Sequence, residues 1–532
     1  MSVRVVSRGS LRRGADDATF GNEHMKRINR WIRVSLAAAS LTIALPELHA
    51  GPRDPVTVSR PPEGQGAAFV PGTRRVSQLP RVDYVEEEFF IAGTASLFNY
   101  ASNPPASHTD IVAVQQGMPW KTRVIVRRPA DPDDFDGNVV LEWWNSTAGF
   151  DTAPAWDPSA QYLARRGVIY VGVTNSSTSI SFLTGGCRVF GLTPPTCGTR
   201  YQSLSLPENG LAWDMMSQIA NRLRSGGADN PIPAAYHVRK LFHVGESQQA
   251  GSLVTYASAF HLPGVNDGYF IQSGISARPI NFGPRCGDTG VPEFPACTPR
   301  LSPELGRVRT DLPVPVYQVV TQTDVETLGF GTGGRQPGTR FFRYYEVAGG
   351  GHNTVHRDIQ IIPPGLLGPQ PVYLEDLCAN ALNTTADGPV YVSHVFNALW
   401  QAMFRQATTG TRPPSGLLMD DVAGVLSRDA FGNVTGGVRL PALDVPTARY
   451  DSTNVADPGL SPLLRSVGNL ACRLSGSVFP FDDPTLAALY PDKSAYLAKV
   501  RASVRRLVNQ GLLLRADAAQ VLLEAQRSDV GR

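Results

Sequence analysis

Three side chains have the types and the chain order needed for acyl transfer: Ser247, Asp324 and His352. A serine hydroxyl is a poor nucleophile until a neighbouring base takes its proton. An imidazole titrates near neutrality, so His352 can accept that proton and later return it to a leaving group. A carboxylate such as Asp324 then fixes the imidazole tautomer and stabilises the imidazolium. The chemistry expected is cleavage of a carboxylic ester through an acyl-enzyme. Amide or peptide cleavage and acyl transfer need the same three groups and stay open. So does a non-catalytic binding protein built on the same scaffold, since a fold does not by itself imply an activity.

Each of the three falls where the chain turns. In KLFHVGESQQAGSLVTYASAF (240–260), Lys240 to Val244 reads as a buried strand and Gln248 to Phe260 as a helix of small and apolar residues. Ser247 stands between them, the layout of a strand–turn–helix nucleophile elbow. Gln249 occupies the position where such turns usually carry a small residue, and Glu246 is read as a solvated or locally paired neighbour. Asp324 sits at the acidic end of VYQVVTQTDVE (316–326), with Glu326 close enough to serve instead. His352 follows three glycines, 349–351, in RYYEVAGGGHN (343–353), and those glycines would let its loop approach the serine. His356 is a competitor four residues on.

An oxyanion formed at the attacked carbonyl needs two backbone donors. One is expected from Gln248, at the start of the elbow helix. The other is expected from Asn145 or Ser146, where the strand of GNVVLEWWNSTAGFD (137–151) breaks into a loop. Aromatic residues cluster here, and Trp144 and Phe150 are expected to line a substrate pocket.

The elements that must hold these groups alternate. Val85 to Phe98, Thr122 to Arg128, the start of 137–151, Lys240 to Val244, and 167–177, 267–276, 316–326 and 343–353 read as strands. Helical spacing appears at 162–166, 210–223, 248–260 and 390–405, and in two final helices within 494–526. Near-continuously apolar strands alternating with helices predict a mostly parallel sheet covered on both faces. In such sheets reacting groups gather at the carboxyl ends of the strands. The expected organisation is a targeting segment (1–50), a loose Pro- and Gly-rich arm (51–80), an α/β core with insertions (81–388) and a C-terminal extension (389–532) that packs on the core or caps the site.

Bulk composition narrows the possibilities. Of 532 residues, 42% are hydrophobic and 18% charged, which fits a globular protein. A net charge of +3, scattered along the chain, gives no case for a nucleic-acid partner. The basic run from Met25 to Arg33, the apolar stretch Val34 to Leu45 and Leu48-His49-Ala50 resemble a signal peptide cleaved near Ala50, with translation starting at Met25. The apolar stretch is too short for a stable membrane span in the mature protein. A secreted or periplasmic location is therefore expected, and six cysteines, an even count, suit an oxidising compartment. Proximity pairs Cys187 with Cys197 and Cys286 with Cys297, leaving Cys378 with Cys472. No CxxC and no zinc-ligand histidine spacing occurs, so neither a metal nor an organic cofactor is expected. The partner expected is a small-molecule ester; the sequence does not give an oligomeric state.

Six ordered blocks, LEWWNSTAGFD, VGESQQAGSLVTY, QVVTQTDV, YEVAGGGHN, GNVTGGVRLPALDVP and ACRLSGSVFPFD, resemble the large secreted or periplasmic bacterial α/β-hydrolase domain-containing proteins. The resemblance covers roughly residues 80 to 525. It implies the α/β-hydrolase fold, with Ser247 and His352 in catalytic roles. It also implies an acid in the T-x-T-D block, hence Asp324. Gln322 stands where such proteins often carry a glutamate. The resemblance supplies no substrate.

Overall fold

Mostly apolar stretches of five to seven residues become the parallel strands β4 (Asn138–Trp143), β5 (Ile169–Val173), β6 (Lys240–Glu246), β7 (Gly268–Gln272), β8 (Val316–Thr321) and β9 (Phe342–Val347). Ahead of them come an edge strand β1 (Thr57–Ser59) and a long hairpin, β2 (Tyr84–Tyr100) and β3 (Ile111–Pro129). The nine form one sheet in the order β1-β2-β3-β5-β4-β6-β7-β8-β9, parallel from β5 to β9 and antiparallel before it. The computed structural model describes residues 56–531 except 71–72, 74, 81, 103, 189–195, 228, 281–301, 354–359, 363–369 and 384–389. The expected targeting segment, the Cys286–Cys297 pair and His356 lie outside the described residues.

The parallel strands are buried end to end because helices cover both faces. Side chains alternate along a strand, and β6 shows the consequence. Phe242 meets Phe404 of helix α6 (Val392–Thr409), ring centroids 5.0 Å apart. The next residue, His243, points the other way, 5.0 Å from Tyr256 of α4 (Gln248–Ala259). One strand over, Phe270 packs edge-on to Trp400 of α6 at 4.6 Å, while Tyr269 stacks with His243. Helix α3 (Ala212–Ser225) joins α4 on its face through Trp213, which stacks on Phe260. Two shorter helices, α1 (Trp156–Arg165) and α2 (Ser177–Thr184), come after β4 and β5.

Some boundaries differ from the pattern in the sequence. The stretch 316–326 is a strand only to Thr321. Its acidic end is the one-turn helix α5 (Gln322–Glu326), because Thr321 and Asp324 cap each other's backbone amides. Within the segment expected as a loose arm, β1 pairs with β2, and Val56, Val76 and Leu79 are buried. The helix that opens the expected C-terminal extension, α6, is itself a cover of the sheet. Part of the irregular stretch 440–460 forms a strand, Ala448–Asp451, paired with Ser477–Pro480.

Cys187 bonds Cys197, and Cys378 bonds Cys472. The second bridge closes a separation of 94 residues and sits in its own small cluster with Leu374, Leu377 and Leu382. Loop closure of that length restricts the unfolded chain by about 4–5 kcal/mol. Replacing both Cys378 and Cys472 with serine should lower unfolding stability by up to that amount. A denaturation midpoint unchanged from wild type would contradict it.

Candidate active site

The turn after β6 is strained in the way an exposed nucleophile requires. Ser247 has φ 55° and ψ −114°, a left-handed conformation that costs a non-glycine residue of order 1–3 kcal/mol. It is held there because its amide donates to Gln272 O at the end of β7 (2.9 Å), while its carbonyl accepts from Gly251 N of α4. Close packing demands small neighbours: a Cβ on Gly245 would come within 2.6 Å of Gln249 O. Ser247 remains half-buried at the mouth of the turn.

His352 is brought to the same sheet edge by the loop after β9. Gly349 takes φ +71° and donates its amide to Gln322 Oε1 at 2.8 Å. Its carbonyl accepts from Asn383 Nδ2, and Gly350 O accepts from Thr323 N. The buried amide of Gln322 thus ties the histidine loop to the acid turn. His352 Nδ1 lies 2.6 Å from Asp324 Oδ1, with both side chains buried. The other Asp324 oxygen accepts from Thr321 N. Glu326, the alternative acid, points elsewhere: it pairs with Arg428 and accepts from Gln322 Nε2. His243, close in sequence to the elbow, is a core residue. Its Nδ1 accepts from Trp143 Nε1, Nε2 faces Asn266 Oδ1, and burial depresses its pKa to about 3.

Of the two readings of Glu246, solvated or locally paired, the structure shows the paired one. Glu246 is buried, its Oε1 lies 3.2 Å from His352 Nε2, and its Oε2 accepts from Asn145 Nδ2 at 3.1 Å. The imidazole therefore stands between two carboxylates. Burial alone would lower its pKa, but Glu246 and then Asp324 raise it to about 9. Burial pushes the Glu246 carboxyl up to about 7, against the pull of His352. Glu246 is the last residue of β6, so alternation gives it a face, but the sequence did not show that His352 would meet that face.

The expected oxyanion donors are divided by their hydrogen bonds. The Asn145 amide is engaged with Thr152 O at 3.1 Å in a small hairpin, so it is already spent on the loop. The Ser146 amide and hydroxyl both face Gln248 Oε1, at 3.4 and 3.0 Å. The Gln248 amide opens α4, where backbone donors lack an intrahelical acceptor. The Asn145 amide is thus bound to backbone, whereas that of Ser146 meets a side chain.

Of the expected pocket residues, Trp144 is fully buried and bonds Tyr170 OH through Nε1. Trp144 faces the core because Gly172 of β5 leaves it room; a Cβ there would sit 2.2 Å from the indole. Phe150 packs against Phe69 and Phe182. The wall next to the elbow is instead Trp143, on the opposite side of β4 from Trp144, lining a cavity of about 230 Å³ with Ser146, Gln248 and Gln249. A larger cavity of about 780 Å³ is lined by residues such as Arg340, Phe341 and Arg343 at the start of β9, the end of that strand remote from His352. Among the described residues, no group of three or more His, Cys, Asp or Glu side chains is placed to hold a metal ion. Nor, among them, is any helix long and apolar enough to cross a membrane.

A family model described as an alpha/beta hydrolase domain matches residues 57–523. No curated protein matches the chain. Among solved structures, the chain is similar to a glucuronoyl esterase from Solibacter usitatus, at 11% identity over 57% of this chain and 86% of that one, TM-score 0.25. It is also similar to a dienelactone hydrolase from Anabaena variabilis, at 13% identity over 39% and 71%, TM-score 0.23. A rice cell wall degrading esterase from Xanthomonas oryzae matches at 12% identity over 37% and 45%, TM-score 0.21; the chain spans under half of that protein's length.

Proposed function

Because the chain belongs to the alpha/beta hydrolase domain family, we propose that it is a serine hydrolase that cleaves carboxylic esters through an acyl-enzyme. The observation that carries this reading is the buried His352–Asp324 pair at 2.6 Å, delivered to the sheet edge where Ser247 is held at φ 55°. Ser247 Oγ attacks the ester carbonyl while His352 Nε2 takes its proton. Asp324 keeps the proton on Nδ1 and stabilises the imidazolium. The amides of Gln248 and Ser146 receive the oxyanion once substrate displaces the Gln248 side chain from Ser146. His352 then protonates the departing alcohol, and water attacks the acyl-enzyme by the same route in reverse.

Secretion or a periplasmic location is part of the proposal. The two disulfides support it, since such bonds persist in oxidising compartments. The test of the activity is turnover of matched ester, amide and peptide substrates by the purified protein. Ester hydrolysis alone, or far faster than the rest, is the expected result; cleavage confined to peptides would contradict it.

Glu246 gives this site a distinctive pH dependence. The base must be neutral to act, and two carboxylates facing it favour the imidazolium. Activity should therefore rise through the alkaline range, near the pKa of about 9. Glu246→Gln removes one negative charge while preserving shape, so the imidazolium loses its proton more readily. The rising limb of kcat/KM should move to lower pH by roughly one to three units. A limb that stays in place would show that Glu246 does not act on His352.

A further inference from the structure

Gln249 is the one elbow residue that the acyl-transfer chemistry leaves unused. It stands two places after Ser247, only 3% exposed, and its Oε1 has no hydrogen-bond partner. Leaving a buried acceptor unmet is unfavourable, so an occupant that donates a hydrogen bond there is favoured over one that cannot. The side chain lines the 230 Å³ cavity beside the elbow. That cavity also touches Ser146 and Gln248, the two residues proposed above to receive the oxyanion.

The lining sets the chemistry of the occupant. Trp143 and Trp213 also line it, although both are buried against other rings, while Ser252, Asn209 and Thr178 add hydroxyl and amide groups. Arg278 is the single charged side chain among the lining residues, a source of several fixed N–H donors. An aliphatic chain would strip water from these groups and return no hydrogen bonds. The volume is also below the roughly 300–1,000 Å³ of pockets that enclose drug-sized ligands, so the occupant is compact.

Resting on the ester-hydrolase reading, we propose that this cavity is the specificity subsite and takes a compact, hydroxyl-rich group of a sugar or hydroxy-acid ester. A ligand hydroxyl donates to Gln249 Oε1, and ligand oxygens accept from Arg278. The group belongs either to the acyl half or to the alcohol half of the ester, and two substrate pairs of equal ring size separate these. Methyl quinate is compared with methyl cyclohexanecarboxylate, and 6-O-acetylglucose with cyclohexylmethyl acetate.

The hydroxylated member of one pair should be favoured by about tenfold or more in kcat/KM, and Gln249→Leu should erase most of that ratio. No preference in either pair, or a ratio unchanged in Gln249→Leu, overturns the proposal. Should the variant not fold, the wild type answers alone: quinate or glucose should slow fluorophosphonate labelling of Ser247 more than cyclohexanecarboxylate or cyclohexylmethanol does. Equal protection by both kinds overturns the subsite while leaving the serine hydrolase intact. Absence of any label on Ser247 overturns the ester-hydrolase reading, and the subsite with it.

Discussion

Ser247→Ala is expected to lower kcat for ester hydrolysis by about 10⁵–10⁶, equivalent to roughly 7–8 kcal/mol of transition-state stabilisation. The residual rate, about 10³–10⁴ above water, would come from binding and the oxyanion donors. The fold should survive. Alanine has the same Cβ, so it meets the same φ 55° strain, and the amide bond to Gln272 O is untouched. Initial rates, with thermal unfolding as the control, test this. Activity within tenfold of wild type in a folded variant would remove Ser247 from the mechanism.

Asp324→Asn should cost about 10⁴ in kcat, and the structure shows why an isosteric change is so damaging. The carboxylate uses both oxygens at once, one toward His352 Nδ1 and one accepting from Thr321 N. An asparagine has a single carbonyl oxygen. If it serves Thr321, its NH₂ faces Nδ1 and forces the proton onto Nε2, the nitrogen that must act as base. If it serves His352, the NH₂ is driven against the Thr321 amide. Glu326→Gln is the matching control, expected to stay within about threefold because Glu326 pairs with Arg428. Equal losses from both variants would mean that the acid had been misidentified.

How far the sequence revealed this site depended on the kind of signal each residue carries. The parallel strands were legible because burial on both faces makes each a near-continuous apolar run; β5 and β7 read directly. Ser247, Asp324 and His352 could be picked out because each comes after such a run where turn residues interrupt it. Side-chain direction within a turn has no such signature. Glu246 closes β6 and is buried against the imidazole, but which strand face His352 would approach was not written in the sequence. The Asn145 amide is consumed by a hairpin with Thr152 that no periodicity announces. Trp143 ends β4 and Trp144 follows it, so which one faced the cavity depended on Gly172, a residue of the next strand. The change of composition near residue 389 suggested an extension that packs on the core or caps the site; Trp400 and Phe404 pack helix α6 directly onto the sheet.

The account stands or falls on whether the hydroxyl at the elbow is activated. The most direct measurement is peptide mapping by mass spectrometry after treating the wild-type protein with a fluorophosphonate at mildly alkaline pH. A single phosphonyl adduct on Ser247, absent when the protein is unfolded beforehand, is the predicted result. Recovery of the elbow peptide unmodified from the folded protein would contradict it.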